Sequence, residues 1–170
     1  MSGRPSVLLF WHRRWSSVVP VNGCRPAPRR HSATAAVGCR LLVYGGCDED
    51  EVHREIGRVF SAVHLYDPET RTWSGALTTT GSPAEARAGH CSALIGDNLY
   101  IYGGNGWVGG YDSVMILDVS KWQWTGPFAI SGCPPESRVK SLSTAAMGAM
   151  FIAGGAISGR LRREAFRLDF

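Results

Sequence analysis

A chain of 170 residues, 44% hydrophobic and 19% charged with a net charge of +4, holds enough apolar material for a folded core, which excludes a disordered or low-complexity segment. The charge is uneven: seven arginines precede Asp48, the first acidic residue, and the whole chain has two lysines. Five cysteines (Cys24, Cys39, Cys47, Cys91 and Cys133) form an odd set without a Cys-x-x-Cys pair, which argues against a disulfide framework or a zinc site and predicts reduced thiols.

From the N-terminus, Val7–Phe10 is an apolar run far too short for a signal-peptide core or a membrane span. The Arg-rich, acid-poor start has the composition of a transit peptide, but the register of markers set out below assigns residues from 13 onward to folded chain. Ser6–Phe10 aligns with a third strand, although Leu9 replaces the expected turn aspartate. Val18–Pro28 is a proline-rich crossing segment. Leu41–Tyr44 reads as a strand closed by Gly45-Gly46, followed by the acidic stretch Cys47–Glu55. Ala62–Tyr66 is a further strand, and Asp67-Pro68-Glu69-Thr70 a turn.

Residues 87–124 repeat this plan most clearly. Ser92–Ile95, Leu99–Tyr102, Val114–Leu117 and Trp122–Trp124 are short runs of β-forming residues, separated by Gly96-Asp97-Asn98, Gly103-Gly104 and Asp118. Runs of about four residues are too short for ordinary helices, so the expectation is a four-stranded antiparallel meander. The third copy starts near Arg138, with Met150–Ala153 ahead of Gly154-Gly155. In its last segment Leu161, Ala165 and Leu168 also share a helical face, but the spacing from Gly154 to Asp169 favours a strand.

Four markers hold these copies in step. The glycines Gly23, Gly81 and Gly132 each precede a paired glycine by 22 residues, at Gly45, Gly103 and Gly154. An arginine follows each by six (Arg29, Arg87, Arg138), and a tryptophan precedes each by eight (Trp15, Trp73, Trp124). Paired glycine to aspartate spans 15 residues in two copies and 22 in the first, so the first carries a seven-residue insertion. Trp73 and Trp124 are therefore 51 residues apart, and Trp15 and Trp73 are 58.

On Arg87-x-x-His90, Tyr102-Gly103-Gly104, Leu117-Asp118 and Trp124, and on Arg29, His31, Tyr44-Gly45-Gly46, Tyr66-Asp67 and Trp73, the chain resembles the kelch-repeat family of β-propellers. The resemblance implies an all-β partial propeller of four-stranded antiparallel blades. Its segments are 1–28 (part of a preceding blade and a connecting loop), 29–80, 81–131, and 132–170, a third blade without its last strand. Such rings by resemblance have five to seven blades, so about three blades point to a fragment of a longer propeller. The alternative is assembly: Arg13–Ser17 offers a spare fourth strand, and two chains exchanging it would close a six-bladed ring.

The resemblance also implies a protein-interaction scaffold, with contacts on the loops between second and third strands. Three such loops line up at one rim: acidic (Asp48, Glu49, Asp50, Glu51), aromatic (Trp107, Tyr111) and basic (Arg160, Arg162, Arg163). They fit a protein partner, a basic one at the acidic loop; each also reads as an ordinary surface loop. The acidic insert lacks EF-hand spacing, so no metal is expected there. His31 and His90, beside repeat arginines, read as structural groups recurring with the repeat rather than as a metal or acid–base pair. The register-matched tryptophans are expected between blades, and alternation puts Trp122 on the strand face of Trp124. With two lysines, an acidic loop and no recognition helix, nucleic acid is not expected as a partner, nor is a membrane.

Some propellers of this kind are enzymes: copper oxidases, sugar mutarotases and nitrile-specifier proteins. The iron motif of the last, Glu-x-x-x-Asp-x-x-x-His, is absent, and no nucleophile–base grouping can be assembled. The reading is a non-catalytic, cofactor-free protein of the cytoplasm, with the nucleus as second compartment and the mitochondrion behind both.

Overall fold

In the computed structural model of the chain, residues 20–49 and 56–170 are described. Among them the short β-forming runs, each stopped by glycine or aspartate turns, fold into nineteen strands without a helix. In blade one, β1 (Asn22–Cys24), β2 (Ala33–Val37), β3 (Arg40–Tyr44), β6 (Val63–Asp67) and β7 (Thr72–Ala76) form one sheet. A side hairpin is made by β4 (Cys47–Glu49) and β5 (Ile56–Val59). Blade two repeats this with β8 (Thr80–Gly81), β9 (Cys91–Ile95), β10 (Asn98–Tyr102), β13 (Val114–Asp118) and β14 (Gln123–Phe128), and the side hairpin β11 (Asn105–Gly106) with β12 (Gly109–Gly110). Blade three has β15 (Leu142–Ala146), β16 (Ala149–Ala153) and β19 (Ala165–Asp169), with β17 (Ala156–Ile157) and β18 (Arg160–Leu161) as its hairpin.

The four antiparallel strands per blade expected from the sequence are present in blades one and two, each with a fifth added. The crossing segments do not merely connect: β1 runs parallel to β7 and β8 parallel to β14, placing Gly23 level with Trp73 and Gly81 level with Trp124. A Cβ on Gly23 would collide with the Trp73 carbonyl oxygen and lie 2.8 Å from its carbonyl carbon. On Gly81 it would collide with the Trp124 oxygen. Glycine is required there because the crossing chain lies directly on the tryptophan backbone. Trp122 is not on the strand at all: it stands in the turn at φ +53°, although its ring still packs on the core that holds Trp124. Residues 165–169 form the strand expected, with Phe166 and Leu168 half-buried.

Alternation divides the core. Leu99 and Ile101 of β10 join Leu42, Tyr44 and Leu65 of blade one and Trp124 of blade two, while Tyr100 and Tyr102 face Met150 and Ile152 of blade three. Both faces of the second sheet are therefore buried. Trp124, 2% exposed, has its ring centroid 5.1 Å from that of Tyr44, as expected for a tryptophan filling an inter-blade gap. Trp15 and Ser6–Phe10 lie outside the described residues.

Candidate functional site

The joint between blades is made by the marker residues themselves. Arg29, Arg87 and Arg138 each donate from Nε to the carbonyl two residues before (Ala27, Glu85, Glu136) and from a terminal nitrogen to the first glycine of the pair (Gly45, Gly103, Gly154). Their guanidinium groups lie over Phe60, Tyr111 and Phe166 at 4.2, 3.9 and 4.8 Å. The second glycine of the first two pairs then reaches the next blade: Gly46 N donates to Arg87 O at 2.9 Å and Gly104 N to Arg138 O at 3.2 Å. All six paired glycines have positive φ, as this close approach demands. Tyrosine hydroxyls secure the crossing segments, Tyr44 to Ala84 and Glu85, and Tyr102 to Pro135.

From each joint a two-stranded hairpin leaves the blade at the same repeat position, fixed by the bridges Arg30–Cys47, Ala88–Asn105 and Val139–Ala156. These hairpins carry the residues singled out in the sequence. Asp48 accepts a hydrogen bond from Arg58 Nε at 2.9 Å and another from the Arg58 backbone, so its charge is matched within its own hairpin. Glu49 ends β4; Asp50 and Glu51 lie outside the described residues. Trp107 is 69% exposed at the second tip, and its neighbour Val108, not picked out in the sequence, is 87% exposed. Tyr111 is occupied otherwise: its ring stacks on Arg87 and it belongs to the joint as much as to the rim. Arg160 and Arg163 are exposed on the third hairpin, whereas Arg162 pairs with Glu136 at 3.3 Å. By its backbone bond to Gly155, Arg162 holds the place that Phe60 and Tyr111 hold in the other blades. Leu161, 87% exposed, adds a second apolar tip, and its only sequence signal was an apolar residue in an arginine-rich loop.

The histidines are not repeats of one another. Positive φ at His31 (59°), Gly89 (69°) and Lys140 (59°) makes those three positions equivalent, which leaves His90 matched with Ser32 and Ser141. His31 is exposed; His90 is buried against Tyr44 with neither ring nitrogen hydrogen-bonded to protein. Burial, with the Arg87 charge nearby, pushes the His90 pKa down to about 3, so it is neutral at physiological pH. Among the described residues no three His, Cys, Asp or Glu side chains converge as a metal site. Among the described residues there is no helix long and apolar enough to cross a membrane.

A family model described as the KLHDC2/KLHL20/DRC7 Kelch-repeats domain matches residues 6–170. Kelch domain-containing protein 1 of Mus musculus is 26% identical over 158 residues, covering 83% of this chain and 39% of that protein. The Rab9 effector protein with kelch motifs of Rattus norvegicus is 37% identical over 93 residues, 54% of this chain and 23% of that one. Among solved structures, that of YjhT superimposes with a TM-score of 0.67 at 19% identity, over 84% of this chain and 49% of the other, a likeness of fold. The chain thus spans well under two thirds of the proteins it matches.

Proposed function

The chain belongs to the kelch-repeat family, and on that premise we propose that it is a non-catalytic protein-interaction module whose contacts lie on the hairpins at one rim of the blades. One observation carries the reading. Trp107 and Val108, at the tip of the blade-two hairpin, are 69% and 87% exposed and add nothing to either core cluster. Large apolar side chains held out on a short rigid hairpin are what a partner's pocket would bury. Leu161, with Arg160 and Arg163 beside it, extends the surface towards an acidic patch on the partner. The acidic residues 48–51 would meet basic groups. Arg58 lessens the share of Asp48, so the burden falls on its neighbours.

Proximity labelling in cells, with the wild-type chain and a Trp107→Ser/Val108→Ser variant, tests this. The variant is expected to lose a discrete set of neighbouring proteins while its melting temperature stays unchanged, since surface substitutions of this kind cost within about 0.5 kcal/mol. Identical label sets would reject the hairpin as the contact. A role by binding rather than by chemistry fits a buried His90 that no solvent-borne substrate could reach. Stoichiometric copper or iron in the purified protein would reverse that part. We assign the module to the cytoplasm or nucleus, on its unpaired cysteines.

A further inference from the structure

The hairpins of blades two and three share one plan. Each is bridged to its crossing segment at its first residue, Ala88–Asn105 and Val139–Ala156, and each closes over a two-residue turn. Gly106 and Gly110 of the one therefore hold the register places of Ile157 and Leu161 of the other. The hairpin form itself does not require glycine at those places. A left-handed φ occurs at Gly109 (+122°) but at neither Gly106 nor Gly110, and the twin hairpin carries two large side chains there. What requires it is the surface underneath. A Cβ on Gly106 would lie 2.6 Å from the Ala86 carbonyl oxygen and 2.5 Å from the Tyr111 hydroxyl. One on Gly110 would strike the Ser137 Oγ and lie 3.1 Å from the Ser137 Cβ. Ala86 belongs to the crossing segment of blade two and Ser137 to that of blade three. The hairpin thus rests on two blades, β11 against the first and β12 against the second, and Gly104 N ties its root to Arg138 O. Tyr111, part of this seat, is itself pinned by its ring over Arg87.

We propose that Gly106 and Gly110 are positioning residues: they seat this hairpin across the seam between blades two and three, so that Trp107 and Val108 form an anchor ordered before any partner arrives. This role presupposes the partner contact proposed above and adds how the contact is made. Two large apolar side chains exposed on a freely moving loop would have to be immobilised on binding, and that cost would be taken from the affinity. A tip fixed in advance avoids it, so loss of the seat should weaken the contact about tenfold or more. Close approach of backbone to a neighbouring segment is a recurrent use of glycine within strands, and here it occurs on both strands of one hairpin.

The test is nitrogen-15 relaxation on the full chain. Amide order parameters across Gly106–Gly110 are expected at about 0.85 in the wild type, the value of rigid backbone, and below about 0.6 in Gly106→Ala. Alanine suits the φ at that position, so the seat alone is removed, and the amides of β9, β10 and β13 should keep their wild-type shifts. Gly110→Ala should loosen the tip as well. Ser137→Gly in the same chain should restore its order, because the nearest remaining atom, Asn105 Oδ1, is 3.6 Å away, an ordinary contact. Proximity labelling in cells gives the second readout: Gly106→Ala should lose the neighbours that Trp107→Ser/Val108→Ser loses. A tip that is mobile in the wild type, or as ordered in Gly106→Ala as in the wild type, overturns the proposal. So does a double variant that stays loose, and so does a loosened tip that keeps its full label set. The order parameters need no partner. If Trp107→Ser/Val108→Ser leaves the labels unchanged, the hairpin contact falls, and relaxation still decides whether the two glycines hold the tip.

Discussion

Arg87 shows how much one side chain can hold. It is 2% exposed, donates to Glu85 and Gly103 carbonyls and lies on Tyr111. Arg87→Ala should cost about 3 kcal/mol in urea unfolding, since hydrogen bonds to a buried charge contribute roughly 1.5–3 kcal/mol each. Arg29→Ala, at a half-buried copy of the same site, should cost clearly less. Equal losses would mean that burial does not set the energy. His90 gives the pH dependence. Its pKa is near 3 in the fold and near 6.5 when exposed, so the unfolded chain takes up the proton first. Its contribution is complete above pH 6.5 and declines as the pH falls from 6.5 towards 3, with a slope of up to about 1.4 kcal/mol per pH unit. His31 and His64, both lowered mainly by burial, act in the same sense. Thermal melts between pH 7 and 5 should show this slope, and His90→Phe should flatten it. An unchanged slope in that variant would assign the effect elsewhere. The arginine sites were legible from spacing alone. The histidine equivalence was not, because a one-residue offset is invisible until φ angles show which residue takes the left-handed turn.

At the scale of the element, the crossing strands were the least legible feature. Asn22–Cys24 and Thr80–Gly81 have no apolar alternation, because their partner is a backbone and their side chains are exposed. A glycine kept at a fixed distance from a tryptophan was the trace they left in the sequence. Gly81→Ala should cost roughly 3 kcal/mol or more, combining positive-φ strain with the collision at Trp124. Gly96→Ala, at φ +58° in an open turn, should cost only about 1–2 kcal/mol. Denaturant midpoints of the two variants decide, and similar values would refute the clasp. The hairpins between second and third strands show the converse. Their positions followed from the paired glycines, but side-chain availability did not. Tyr111 and Trp107 look alike in sequence, and Arg87 takes the first while the second stays in solvent.

In the whole molecule each blade is a unit stabilised mainly by the faces of its neighbours, as in other repeat architectures. Blade two is covered on both sides; the β15 strand of blade three is largely exposed, including Leu142 at 78%. Amide exchange should therefore be slowest at Leu99–Tyr102 and much faster at Leu142–Ala146, although both are paired in sheets. Uniform protection would mean one cooperative unit instead. The sequence by itself determined the blade plan, its 51-residue period and the joint residues, because strand length, turn chemistry and glycine spacing are local properties that recur in print. Only the tertiary structure decided which histidine is sealed and which aromatic ring is free. Those depend on what lies across a gap from a residue, and neighbours across a gap are set by the stacking of sheets, not by order along the chain.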